Sequence, residues 1–143
     1  MIKNLSAMPS FLKVLTLMGF GVFVWVVTTM FQSGIAVFGR QLSTSEWWTS
    51  GAGLFCSVVG LILGGASVLM LNRSYYGRPA HILGWIGVSV TVPFVTFVTK
   101  SDQSFTAQTF WSYLALTALI ALYLYRNKAV QNYFRAPTNS TGS

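Results

Sequence analysis

The side chains able to do acid–base, nucleophilic or metal chemistry are few and scattered. The chain has one histidine, His81, one cysteine, Cys56, and two acids, Glu46 and Asp102. A redox pair, a disulfide or a cysteine metal cluster needs a second cysteine, and a haem held between two histidines needs a second histidine. Cys56 lies within an apolar run and reads as a small buried residue. Hydrolysis through His81 would want a neighbouring carboxylate, and the threading derived below puts both acids across a membrane from it. Glu46 and Asp102 could meet and hold a cation, but carboxylates on loops are more often simply solvated. No Walker-type loop, dinucleotide fingerprint or zinc motif occurs. The expectation is no catalytic residue, no cofactor, no metal ligand and no enzyme.

Uncharged polar groups make a second set. Gly21, Trp25, Thr28 and Gln32 recur at helical spacing, and Gln32 is the most polar group of its run. An interhelical hydrogen bond from its amide is worth on the order of 1 kcal/mol. Pro93 removes a helical bond to the Ser89 carbonyl and favours a kink. Ser89, Pro93 and Thr96 share a face, with Trp85 one turn away. Carbonyls beside hydroxyls can coordinate an ion or solute, though neighbouring helices usually satisfy them. Gln32, Ser89, Thr91, Pro93 and Thr96 are therefore candidates for a polar pathway, with helix packing as the plainer reading.

The elements that must carry these residues follow from composition. Of 143 residues, 53% are hydrophobic and 8% charged, whereas a soluble domain carries about 25% charged residues. One small core cannot hide that much apolar surface. Four uncharged runs stand out: Val14 to Phe38, Gly51 to Leu71, Ala80 to Thr99 and Ala107 to Tyr125. Each approaches the ~20 residues needed to cross ~30 Å of hydrocarbon. Spans in lipid must be helical to satisfy their own backbone. The first run is too long for a signal-peptide core and lacks a small-x-small cleavage site. We expect an all-α integral membrane protein, an antiparallel four-transmembrane-helix bundle, in a single domain over residues 1–136.

Direction follows from the basic residues. Lys3, Lys13, Arg73, Arg78, Arg126, Lys128 and Arg135 fall on one side, and only Arg40 and Lys100 on the other. That split places both termini in the cytoplasm, N-in and C-in, with Glu46 and Asp102 outside. The basic charge is a threading signal, and no nucleic-acid partner is expected. Trp47, Trp48 and Trp111 suit the outer interface; Tyr75, Tyr76, Tyr123 and Tyr125 suit the inner one. NRSYYGRPAH, residues 72–81, becomes the cytoplasmic hairpin, with Gly77 permitting the turn, Pro79 in the first helical turn and His81 at the membrane edge. Arg73, Arg78, Arg126 and Lys128 could together hold a lipid phosphate there.

Gly53, Ser57, Gly60, Gly64 and Ser67 recur at spacings of four and three, which is the helical period. In lipid, close backbone approach over small residues supplies much of the attraction between helices, so this stripe is a packing seam. Its partner is a helix of the same chain or one of another copy. At the C-terminus, Ala129, Val130, Tyr133 and Phe134 give one apolar face to a short interfacial helix on the inner leaflet. Ile2, Leu5 and Met8 allow the same of the N-terminal arm. Residues 137–143, PTNSTGS, read as a disordered or cloning-derived tail.

The stretch LYLYRNKAVQNYF, residues 122–134, resembles the close of small, uncharacterised four-span bacterial inner-membrane proteins. The resemblance implies a bacterial inner membrane and four spans, and brings no activity with it. The four-helix plan is also similar to the small multidrug resistance transporters, but their intramembrane glutamate has no counterpart here. No Asp, Glu, Lys, Arg or His lies deep in any span, where proton-coupled carriers need such a group. The expected function is a non-enzymatic interaction protein: a small subunit, regulator or immunity-type factor contacting a membrane-protein partner or itself. The alternative is a homo-oligomeric channel or carrier for a neutral or anionic small solute.

Overall fold

The first apolar run does not continue as one helix. In the computed structural model, which describes residues 2–37, 40–100 and 106–135, α1 (Ile2–Ser6) is followed by α2 (Ser10–Thr29). The expected span to Phe38 is thus corrected: the helix stops nine positions earlier. Hydroxyls of Thr28 and Thr29 donate to the carbonyls of Trp25 and Val26 at 2.6 and 2.7 Å. Ser33 and Gly34 then offer poor helical continuation. Beyond them β1 (Gly34–Val37) pairs antiparallel with β2 (Arg40–Ser43). Ile35 and Leu42 are cross-strand partners and are both buried, which satisfies the two-residue period of a half-buried strand. Asp102, the Lys3 side chain, Phe38 and the tail 137–143 lie outside the described residues.

The strands lead into α3 (Thr44–Thr49), which starts on a capping box. The Ser43 hydroxyl accepts from the Glu46 backbone N–H at 3.2 Å, while Glu46 Oε2 accepts from the Ser43 backbone N–H at 3.0 Å. Two orphan donors are satisfied reciprocally. Trp47 points inward and is 1% exposed, with Val26, Ile35, Leu42, Ala52, Cys56 and Val95 around it. It is therefore core, which corrects its reading as an interface anchor; Trp48 is half-buried and Trp111 exposed. Gly51, at φ 82°, takes the left-handed turn into α4 (Ala52–Leu71).

Two long helices follow, α5 (Gly77–Thr99) and α6 (Thr106–Arg126), and then the short α7 (Lys128–Arg135). The described chain is mostly helical, with four helices long and apolar enough to cross a membrane: α2, α4, α5 and α6. α4 packs against α2 and α5, and α6 packs chiefly against α5. Half of the most apolar stretch of α4 is buried but only 17% of that of α6, so α4 is central and α6 peripheral.

Close packing of α4 depends on residues without bulk. A Cβ on Gly64 would come within 3.1 Å of the Phe23 ring, and one on Gly60 within 3.0 Å of Val26 Cγ2. On the α2 side, Gly19 sits against Ser67, and a Cβ there would approach the Leu63 carbonyl oxygen to 2.9 Å. On the α5 side, Gly84 and Gly87 receive Leu63 and Val59. Each small residue admits either backbone or a large side chain from the facing helix.

Two measurements test this account. Gly19→Ala forces Ser67 and the Leu63 backbone aside and should destabilise by about 1–3 kcal/mol. Gly21→Ala, where nothing lies within 4 Å, should not, in equilibrium unfolding in mixed micelles; equal effects would refute the close approach. The Ser43 backbone N–H bonding the carboxylate, followed by the Ser43 hydroxyl and Arg40, holds Glu46 below the usual carboxylate pKa. A depressed folded-state pKa stabilises above the unfolded value, and the contribution is lost as pH falls through the folded value. Amide protection in α3, corrected for intrinsic exchange, should therefore drop between about pH 5 and pH 3, and Glu46→Gln should remove that pH dependence.

Candidate functional site

The seam residues come together on one side of α4. Gly60, Gly64 and Ser67 face Val26, Phe23 and Gly19 of α2, and Gly53 faces the indoles of Trp47 and Trp48. Ser57 is half-buried and donates to the Gly53 carbonyl at 2.8 Å. Ser67 does the same to Leu63 at 2.9 Å. Within this chain the stripe is occupied by the chain's own α2 and α3.

The five candidate pathway residues are not gathered into one place. Gln32 follows the end of α2, is exposed, and uses its backbone carbonyl to accept from the Thr44 hydroxyl. It does not share a helical face with Gly21, Trp25 and Thr28, because the helix has already ended. Thr91 donates to Gly87 at 2.8 Å and Thr96 to Val92 at 2.7 Å. Ser89 donates to Trp85 at 3.0 Å and lies 3.3 Å from the Thr117 hydroxyl of α6. Such bonds to the preceding turn are how hydroxyls are accommodated in an apolar helix. Pro93 stands inside α5 without ending it.

A cleft of about 300 Å³ lies beside this region, lined by Val22, Trp25, Val59, Val88, Thr91 and Tyr113. Cys56 also borders it as a buried free thiol. Among the described residues, no three of His, Cys, Asp and Glu come together in a group that could hold a metal ion. Glu46 is committed to Ser43 and to Arg40, whose guanidinium lies 3.7 Å away. Arg40 in turn donates to the Thr99 carbonyl and ties the strand pair to the end of α5.

The opposite end is built differently. The turn from α4 to α5 is covered by α1 and α7. Asn4 donates to the Leu71 carbonyl at 2.9 Å, and Tyr133 donates to that of Met70 at 3.2 Å. Asn127 caps α7, its side-chain oxygen accepting from the Ala129 and Val130 backbones at 2.9 and 3.3 Å. Val130 and Tyr133 are buried against the chain itself. The apolar face of α7 expected to meet a lipid leaflet is thus corrected in part: those two residues pack against the protein.

Arg73 and Arg78 meet there over neighbouring rings. The Arg73 guanidinium carbon is 4.9 Å from the Tyr133 ring centre, and that of Arg78 is 4.3 Å from the Phe134 ring centre. Arg78 Nη2 also donates, at 3.4 Å, to the Val130 carbonyl. Arg126 and Lys128, grouped with these arginines on sequence, are exposed and outside this stack. Sequence reasoning left out of this group Arg135, which follows Phe134 at the end of α7, and missed the two rings as partners for arginine. The available signal was the pair of aromatic residues at the end of α7, next to a basic hairpin in the charge pattern.

His81 is the other correction. It is fully buried within the chain, near the start of α5, and its Nε2 accepts from Trp85 Nε1 at 3.0 Å. The i, i+4 spacing of the pair was readable, but its direction into the protein was not. Trp85→Phe should strand the buried acceptor and destabilise by about 1–3 kcal/mol, while adding His81→Leu should recover part of that loss. Unfolding of both variants in mixed micelles checks this; a double variant no more stable than the single would refute the pairing. Comparison of the chain with protein-family models, curated proteins and solved structures finds no match, so the functional reading rests on its own geometry.

Proposed function

We propose that the chain is a non-enzymatic interaction protein of a bacterial inner membrane, acting through helix–helix contacts with a membrane-protein partner or a second copy. It spans the membrane as an antiparallel four-helix bundle with both termini cytoplasmic. The charge asymmetry supports that direction: Lys13, Arg73, Arg78, Arg126, Lys128 and Arg135 carry the positive-inside bias.

The observation that carries the reading is the uneven cover of the long helices. α4 has spent its small-residue stripe on α2, so an intermolecular contact needs another face. α6 supplies it, with Trp111, Ser112, Ala115, Leu119 and Leu122 exposed. Ser112, Ala115, Leu119 and Leu122 recur at helical spacing, and small residues beside leucines suit a packed contact in lipid.

The test is association in mild detergent. The purified protein should associate, with itself or with a membrane partner, and Ala115→Trp with Leu119→Ala should weaken the complex about tenfold or more, by sedimentation or mass photometry. Leu61→Ala, on the exposed side of α4, should leave it within about threefold. A lone monomer, or a symmetric ring around a wetted axis lined by Ser89, Thr91 and Thr96, would sink the interaction reading.

A further inference from the structure

The end of the molecule formed by the α4–α5 turn and α7 holds a buried positive charge with no negative one beside it among the described residues. Arg78 is 8% exposed, and its Nε is buried without a hydrogen-bond partner, as is the Nε of Arg73. The only hydrogen bond Arg78 makes among the described residues is the long one to the Val130 carbonyl. Arg135, exposed at the end of α7, directly follows Phe134, the ring on which Arg78 stacks. The chain has only two side-chain carboxylates. Glu46 is engaged with Ser43 and Arg40, and Asp102 follows the far end of α5. Thr99, the last residue of α5, lies roughly 32 Å of helix from Arg78 at 1.5 Å per residue, and Asp102 is outside the described residues. Burying a cation without a counter-charge is costly, and the imbalance grows with a second arginine beside it.

The way α7 holds the arginines bears on which counter-charge fits. The Tyr133 and Phe134 ring centres are 5.2 Å apart, and each supports one guanidinium. A ring satisfies the flat face of a guanidinium and leaves donors along its edge. That edge matches the oxygens of a phosphate, which can take two N–H donors from one arginine. A carboxylate partner in the protein would have occupied the edge; here ring faces take its place.

We propose that this end binds a phosphate-bearing anion, taken by the edge of Arg78 with Arg135, Arg73 completing the charge and the Tyr133–Phe134 pair holding the guanidinium planes. The chemistry is shared by an anionic phospholipid headgroup and by free phosphate. The site differs from the four-residue group read off the sequence, since Arg126 and Lys128 stand outside it and Arg135 enters. It does not depend on the α6 contact and stands or falls separately from it.

The experiment uses the full chain in mild detergent at fixed ionic strength, with melting followed by tryptophan fluorescence. Three additions are titrated: phosphatidylglycerol, phosphatidylcholine and inorganic phosphate matched against chloride. A saturable rise in Tm with phosphatidylglycerol alone assigns a lipid headgroup; a rise with inorganic phosphate as well assigns the phosphate group itself. A rise with inorganic phosphate alone assigns a free anion. In each case Arg135→Gln and Arg78→Gln should raise the half-saturation concentration about tenfold or more, while Arg126→Gln and Lys128→Gln change it less than about threefold. Arg135 is exposed, so its variant carries the test if Arg78→Gln does not fold. No Tm rise with either phosphate source, an equal rise with phosphatidylcholine, or equal sensitivity to all four substitutions overturns the site.

Discussion

Close backbone approach around α4 is the constraint on which the other contacts depend. With four helices long and apolar enough to cross a membrane, burying another leucine would yield little in lipid, because that medium is as apolar as the core. What distinguishes one arrangement from another is contact made at short range. Gly19 against Ser67, Gly64 against Phe23 and Gly84 against Leu63 provide it on both sides of one helix. α4 thus fixes the positions of α2 and α5, and α5 then carries α6. A methyl group at these positions would push elements apart along their whole length, since stiff helices transmit a local separation.

Polar groups within the long helices are resolved locally, and this governs how their chemistry should be read. Thr16, Ser57, Ser67, Ser89, Thr91, Thr96, Thr99 and Thr117 each donate to a carbonyl one turn earlier. A hydroxyl so engaged costs little in an apolar setting and offers little to a solute. Contacts between helices are the exceptions in kind: the Ser89 and Thr117 hydroxyls lie 3.3 Å apart across α5 and α6, and the Thr16 hydroxyl of α2 lies 3.7 Å from Met70 Sδ of α4. Hydroxyl content alone is therefore a poor guide to a conducting path in this chain.

The two ends use opposite strategies. At one, Arg40, Glu46 and Ser43 neutralise and cap each other, and the strand pair is tied to Thr99. At the other, arginines accumulate without acids and are held by aromatic faces. The division has one physical source: the acids of the sequence lie after α2 and after α5, whereas every arginine but Arg40 lies around the α4–α5 turn or from the end of α6 onward. A charge distribution that can direct threading also leaves one end in need of an anion.

Much of the helical plan was legible because it rests on length and hydropathy, which are properties of the residues themselves. The spans near Gly51–Leu71, Ala80–Thr99 and Ala107–Tyr125 correspond to α4, α5 and α6, as does the small-residue stripe to one face. The first run misled because IAV is equally apolar in a strand and in a helix; only pairing with RQLS, a contact between separated residues, selects the strand. The capping box STSE was readable and overlooked, its serine and glutamate standing at the required spacing. Trp47, His81 and α7 show the other limit. An indole, an imidazole and a Tyr–Phe pair each have an apolar body and a polar tip, so their types suit an interface and a core alike. The amino-acid sequence by itself determined how many long apolar helices form and where charge accumulates. Which of these ambivalent side chains turn inward, and that two arginines stack on α7, was decided only by tertiary structure, because those choices depend on groups 4–63 positions apart meeting in space.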